Sequence, residues 1–180
     1  QSVNPFESFS IFTDKSGTSW GSELNYPVIQ PAAGTFDGTG ALSVKTDDYG
    51  MAAMVSSVKD LSGLETKPRY LSCRTAAEQP DQAVRSVVMR IPVTYTCLDG
   101  PAIKRNKLIE ASKTIRLGSG TYSGYEFDLS EAETLTEKEK EEGMTGCYID
   151  WNEFSFLLNA FCFSENSLKT ETIYFDSIAL

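Results

Sequence analysis

The 180-residue chain predicts an all-β fold, an antiparallel β-sandwich with one short acidic helix in a loop. Three observations predict it. Apolar and polar residues alternate with a period of two in short runs. Gly, Pro, Asp, Asn and Ser punctuate those runs. A single segment, 130–143, reads as helix, which is too little for a parallel α/β sheet. A chain of this length, taken as one domain over 1–180, buries a sizeable core.

The first strand is expected at 6–12, and 13–40 reads as a turn-rich loop with Trp20, Tyr26 and Val28 as isolated anchors. Residues 41–45 alternate, with Leu42 and Val44 inward. The turn 47–50 then leads to a partner strand at 51–58, and 59–63 turns again. Residues 70–75 and 84–95 form the clearest pair, around the polar stretch 78–82 with its Pro80. In the first, Leu71 and Cys73 share a face opposite Tyr70, Ser72 and Arg74. In the second, Val87, Met89, Ile91 and Val93 share a face opposite Ser86, Val88 and Arg90. This alternation suits antiparallel sheets with one wet face. It puts Arg74 and Arg90 on exposed faces, which a single shared face could supply.

Further strands are expected at 113–117 and 122–129. In 130–143, Ser130 is the expected N-cap and the acids after it suit a helix start. The mixed-sign run from Glu137 to Glu142 reads as a solvated face. Residues 154–163 are apolar on both faces, as a central strand would be, and 170–180 close the chain. In that last strand Asp176 interrupts an apolar run and needs a cation, a hydrogen-bond network or a bulge. If Ile173, Phe175, Ile178 and Leu180 all face the core, the alternation breaks between Asp176 and Ser177. A bulge there turns the acid outward.

Composition excludes several functions. A net charge of −9 opposes nucleic-acid binding, which needs clustered Lys and Arg. No apolar run approaches the roughly 20 residues of a membrane span. Histidine is absent, which removes Ser-His-Asp and Cys-His nucleophiles and the commonest ligand of catalytic zinc. Cys73, Cys97, Cys147 and Cys162 form no CxxC motif and read as small buried hydrophobes, although three disulfide pairings are open to them. The chain opens at Gln1 rather than Met, so a piece of a longer, processed protein is expected.

The order of elements resembles the galactose-binding-domain-like jelly rolls that serve as carbohydrate-binding modules. The residues that carry the resemblance are Phe6-Glu7, the run from Gly38 to Val44, the connector from Lys59 to Ser62, the run from Gly124 to Ser130, and the close from Ile173 to Ile178. It spans nearly the whole chain. The chain departs from the pattern in a longer loop before Gly38 and in its acidic helix.

The resemblance implies a structural calcium held by Glu7, Asp37 and Asp176, with backbone carbonyls near Gly40 or Ala41. Such oxygen donors suit calcium; the same acids could instead accept backbone hydrogen bonds at loop mouths. It also implies a non-catalytic module that binds polysaccharide of the β-glucan or xylan class. Such a module would be a monomeric part of a larger extracellular or cell-surface protein, with no nucleic-acid partner and no membrane insertion. Sugar rings stack on aromatic faces while planar polar groups hold their hydroxyls. Candidate rings are Trp20, Tyr26, Tyr49, Tyr70, Tyr95, Tyr122 and Trp151, and candidate polar groups are Arg74, Arg90, Asn152 and Asn159. Two other functions share the fold. A glycosidase would draw on Asp128, Asp150 or Glu153, and a lyase on a Tyr, Arg or Lys base, His being absent; an adhesion module would show an apolar patch.

Overall fold

A computed structural model describes residues 29–32, 41–46, 50–56, 58–78, 84–117, 122–162 and 172–179. Its strands are β1 (Ile29–Ala32), β2 (Ala41–Lys45), β3 (Met51–Val55), β4 (Tyr70–Ala77), β5 (Ser86–Cys97), β6 (Ile103–Glu110), β7 (Lys113–Leu117), β8 (Tyr122–Asp128), β9 (Met144–Ile149), β10 (Leu157–Phe161) and β11 (Thr172–Ala179). Among the described residues the one α-helix, α1, is Glu137–Glu141. Among the described residues, no helix is long and apolar enough to cross a membrane.

Two antiparallel sheets face each other across one hydrophobic cluster. The six-stranded sheet runs β1-β2-β11-β4-β8-β7, and the five-stranded sheet runs β3-β10-β5-β6 with β9 also paired to β5. The fold is a β-sandwich of the jelly-roll kind, because the chain repeatedly crosses between the sheets: β2 to β3, β3 to β4, β4 to β5, β6 to β7, β8 to β9 and β10 to β11. Leu71, Cys73, Phe127, Ile173 and Phe175 of one sheet meet Met54, Val87, Met89, Ile91 and Leu158 of the other in the cluster. At about 25 cal/mol per Å² of apolar surface, this burial is the main stabilising term.

The topology corrects three expectations. Residues 51–55 do not pair with 41–45; β3 pairs with β10 in the opposite sheet. β4 and β5, though consecutive, also lie in opposite sheets, so Arg74 and Arg90 stand on opposite outer faces of the sandwich. A short connection permits either a hairpin or a crossing, and alternation alone does not distinguish them. The stretch read as loop also contains β1, which extends the six-stranded sheet by pairing with β2.

The long strand expected at 154–163 is shorter, Leu157–Phe161, and it is central, between β3 and β5. It and β9 lie along the same side of β5: β10 pairs Ser86 to Arg90, and β9 pairs Val93 to Cys97. Pro92 sits where β5 changes neighbours, a position that tolerates a residue with no N–H to donate. The chain leaves the sheet opposite that point as a 3₁₀ turn, Trp151–Glu153. Backbone bonds from Lys59 and Leu61 then fasten it, through Lys59 N to Phe154 O at 2.8 Å and Leu61 N to Trp151 O at 2.7 Å.

The expected helix at 130–143 divides into a 3₁₀ turn, Leu129–Glu133, and α1. Asp128, not Ser130, caps the first, accepting from Ser130 N at 3.0 Å. Thr136 and Glu139 form a reciprocal capping box on the second. The charges of α1 are not all solvated: Glu139 pairs with Lys107 at 2.8 Å with both side chains largely buried.

In β11, Ile173, Phe175 and Ile178 are wholly buried, and the register to β4 shifts between Asp176 and Ala179. The break in alternation that the sequence demands is therefore a bulge-type irregularity at that place. Before it, Asp176 is the register partner of Arg74. None of the four cysteines is in a disulfide; Cys73, Cys147 and Cys162 are buried and Cys97 is half-buried.

Candidate functional site

Strand parity sorts the candidate residues. On β5 the odd positions from Val87 to Tyr95 enter the core, and Ser86, Val88, Arg90, Pro92 and Thr94 point outward. Register then builds the outward face of the five-stranded sheet row by row. Arg90 lies between Leu157 of β10 and Leu108 of β6. Val88 lies between Asn159 and Glu110. Pro92 pairs Asn106. Thr94 lies between Lys104 of β6 and Tyr148 of β9.

At one end of this face Arg90 donates through Nη1 to Asn159 Oδ1. Asn159 is 1% exposed and forms part of the floor, while Arg90 is half-buried above it. At the other end Tyr148 is 45% exposed, the most open aromatic ring on the face. Lys104 reaches across β5 to the turn after β9, 3.1 Å from Glu153 and 3.8 Å from Asp150. The hydrogen bond to Glu153 is the main cause holding the Lys104 ammonium above its ordinary value. The two ends are about 13 Å apart along β5, at a rise near 3.3 Å per residue.

Trp151 lies in the turn after β9, the turn whose Asp150 and Glu153 meet Lys104. Its ring stacks on Phe154 at 5.3 Å and 9° and packs against the core, leaving it half-exposed. Asn152 beside it is exposed. The structure thus brings Arg90, Asn159, Trp151 and Asn152 to one sheet and its bordering turn. It places Arg74 and Tyr70 on the outer face of the other sheet, where Tyr70 is 41% exposed under the Arg69 guanidinium. Tyr95 is a correction: it is 3% exposed on the core side of β5, near Lys107, and offers no open ring. Burial, then Glu139 beside it, pushes its hydroxyl pKa up. Its parity with Val87 and Met89 placed it inward. Trp20, Tyr26, Tyr49, Glu7 and Asp37 lie outside the described residues, as does the strand expected at 6–12.

Tyr148, Lys104 and Asn106 are site residues that sequence reading missed. Their strands, β6 and β9, were not foreseen, because Ile103–Glu110 carries charge at both parities and Met144–Ile149 is interrupted by Gly146. The signal that could have found Tyr148 is the buried pair Cys147 and Ile149 with Tyr148 sited outward beside it.

The three acids weighed for catalysis have structural partners. Asp128 caps Ser130 and pairs with Arg69 at 3.3 Å. Asp150 and Glu153 belong to one turn and share Lys104, rather than facing each other across a gap that would admit a glycosidic bond. A separate cleft of about 430 Å³ opens between β6 and the 129–136 segment, lined by Lys107, Leu108, Glu110, Glu131, Thr134 and Leu135 among others. It has no aromatic ring on which a sugar could stack. Among the described residues no three His, Cys, Asp or Glu side chains cluster as metal ligands.

No family model and no curated protein matches the chain. Solved structures to which it is similar include a family 28 carbohydrate-binding module specific for non-crystalline cellulose, at 11% identity, covering 99% of this chain and 93% of that one, with a TM-score of 0.47. Another is a family 11 carbohydrate-binding module from Clostridium thermocellum in complex with a β-1,3-1,4-mixed-linked tetrasaccharide, at 12% identity, 89% and 87% coverage and a TM-score of 0.41. A third is a family 22 xylan-binding domain from Paenibacillus barcinonensis, at 11% identity, 93% and 88% coverage and a TM-score of 0.41.

Proposed function

We propose that the chain is a non-catalytic carbohydrate-binding module, and that the outward face of its five-stranded sheet is the glycan-binding surface. The observation that carries this reading is the composition of that face. An exposed ring, Tyr148, stands at one end, and Trp151 belongs to the turn that follows the same strand. Planar or charged hydrogen-bonding groups, Arg90, Asn106 and Lys104, stand along the strands between and around them. Rings supply stacking for the apolar face of a pyranose, and the polar groups satisfy its hydroxyls. A shallow, wet surface of this kind binds weakly to moderately, because much of the ligand stays in water.

The ligand class proposed is a plant-type polysaccharide, β-glucan or xylan, and the setting an extracellular protein of which this chain is one module. The absence of histidine from the sequence and the structural engagement of Asp128, Asp150 and Glu153 support binding over turnover. Structural calcium remains part of the proposal. The donor chemistry of Glu7, Asp37 and Asp176 fits a hard cation, and the register irregularity of β11 falls directly after Asp176. Arg74, the register partner of Asp176, is a competing counter-charge.

Affinity electrophoresis across soluble β-glucans, xylans and other polysaccharides tests the reading, with assay of the same mixtures for reducing ends and unsaturated products. Retardation by one or more glycans without products is expected. Product formation would establish an enzyme instead. Failure of every glycan to retard the protein would leave the sandwich without this function.

A further inference from the structure

Among the described residues Arg90 has no counter-charge. Arg90 is half-buried, and its one hydrogen bond among the described residues is to Asn159, a neutral amide. No carboxylate among the described residues lies within ion-pair distance of it, whereas Arg69, Lys104, Arg105 and Lys107 all have one. Its two register neighbours across the strands are apolar, Leu157 and Leu108. Withdrawing a permanent charge from water beside apolar groups costs free energy unless an opposite charge meets it. The side chain is nonetheless fixed in place, because Asn159 at the 1%-exposed floor accepts from Nη1. A guanidinium has five N–H donors in a planar fork that matches a carboxylate in bidentate fashion. One anchored edge leaves others for a ligand.

We propose that Arg90 is a carboxylate receptor, so that the polysaccharide held on this face carries a uronic acid. This rests on the reading of that face as a glycan-binding surface and narrows it to one ligand class. The charge around the site sets the density of that acid. Glu110 stands on the same face beside Val88, and Asp150 and Glu153 stand at the far end. With a net charge of −9 the protein repels a chain that is anionic at every sugar. The ligand is therefore a neutral backbone with sparse carboxylates: the backbone lies against Tyr148 and Trp151, and one uronate meets Arg90.

The test uses a β-1,4-xylan bearing glucuronic acid side groups, the same polymer after chemical reduction of its carboxyls to primary alcohols, and polygalacturonate. Affinity for the intact protein is measured by titration calorimetry. Carboxyl reduction is expected to weaken binding by ~10-fold or more, the worth of a charge-assisted hydrogen-bond pair. Polygalacturonate is expected to bind more weakly than the intact xylan. Arg90→Gln is expected to bind intact and reduced xylan alike, at the weaker level. Equal binding of the two xylans by the unsubstituted protein would overturn the carboxylate receptor and leave the glycan-binding face standing. Tighter binding of polygalacturonate would overturn the sparse-acid ligand. Binding of no polysaccharide, in this set or the wider screen, would overturn both. Should Arg90→Gln not fold, the two xylans with the unsubstituted protein still decide.

Discussion

Lys107 Nζ lies 2.8 Å from Glu139 Oε1, with the two side chains only 9% and 15% exposed, and this pair fastens α1 to the edge strand of the five-stranded sheet. Lys107 also donates to the Thr134 carbonyl, and Glu139 accepts from Thr136 N at 2.8 Å in the capping box. Beside it, Arg105 meets Glu142 at 3.6 Å. Burial alone would raise the Glu139 pKa, but hydrogen bonds from Lys107, Tyr95 and Thr136 outweigh it and hold the carboxyl at about 2, against an ordinary 4.5. A carboxylate whose folded value is depressed contributes stability that is present above its unfolded value and lost as pH falls toward the folded one. Glu139 thus contributes fully above about pH 5 and progressively less down to about pH 2. Glu139→Gln keeps an acceptor for the capping box but leaves the lysine unpaired. It is expected to cost on the order of 3 kcal/mol at pH 7 and to flatten the fall in stability between those pH values. Urea unfolding at a series of pH values measures both; an unchanged acid limb would mean that Glu139 is not its source.

Thr75 faces the core of β4, between Phe175 of β11 and Ser123 of β8, and is wholly buried. Its hydroxyl has no hydrogen-bond partner among the described residues. An unsatisfied buried hydroxyl costs about 1–3 kcal/mol, and valine has the same shape with a methyl in its place. Thr75→Val is expected to stabilise by about 1 kcal/mol, raising Tm by about 2–4 °C in a chain of this size. Differential scanning calorimetry reads it directly, and a fall in Tm would show that the hydroxyl has a partner in solution.

Gly50 adopts φ = 79°, and a Cβ placed there would stand 2.2 Å from the Cys162 carbonyl oxygen. The Cys162 amide donates to the Gly50 carbonyl at 2.8 Å, so the two segments cannot separate without losing that bond. Gly50→Ala is expected to cost on the order of 3 kcal/mol, from left-handed backbone strain and the clash together. Gly63, where an added Cβ meets nothing within 4 Å, is the control. Gly63→Ala should change stability by no more than about 0.5 kcal/mol. Equal denaturation midpoints for the two variants would contradict the close approach.

A chelator is expected to lower Tm if Glu7, Asp37 and Asp176 hold calcium, because removing a ligand bound only by the folded state destabilises it. Melting the protein with and without chelator, then with added calcium, measures the effect. If the metal is absent from the fold, as when Arg74 neutralises Asp176 instead, Tm is the same in all three.

Strand parity was the most legible property of this sequence. Leu71 with Cys73, Val87 with Met89 and Ile91, and Ile173 with Phe175 all enter the core as their alternation requires, and the irregularity after Asp176 follows from Ile178 being buried as well. What alternation cannot carry is which sheet a strand joins. A connection such as 78–85 closes a hairpin or crosses the sandwich with equal ease, and the difference moved Arg74 and Arg90 apart. Strands whose inward positions are polar were hidden too. Lys107 occupies a core-side position opposite Ile91 only because Glu139 and the Thr134 carbonyl, some thirty residues away, receive it. Of the candidate site, Arg90 and Asn159 were readable as polar residues on strands, and Trp151 as a ring next to a strand end. Tyr148 was not, since Gly146 interrupts the alternation that marks its strand, and its place on this face comes from the pairing of β9 with β5.

Tyr148 and Trp151 differ in what they rest on, and the difference separates binding from folding. Tyr148 is 45% exposed on the sheet face, opposite Thr94. Trp151 stacks on Phe154, itself 2% exposed, at 5.3 Å and packs against the core. Removing an exposed ring takes away a stacking surface and little packing, so Tyr148→Ala is expected to weaken polysaccharide binding several-fold while shifting stability by no more than about 0.5 kcal/mol. Removing Trp151 takes away an aromatic pair worth about 0.5–1.5 kcal/mol beyond the area it covers. Trp151→Ala is therefore expected to lower both affinity and Tm. Calorimetric titration with the best-binding glycan, paired with thermal melts of the same samples, distinguishes the two roles. Unchanged affinity in Tyr148→Ala would remove that ring from the binding surface. Unchanged affinity in a Trp151→Ala protein that melts early would make Trp151 a packing residue at the border of the site.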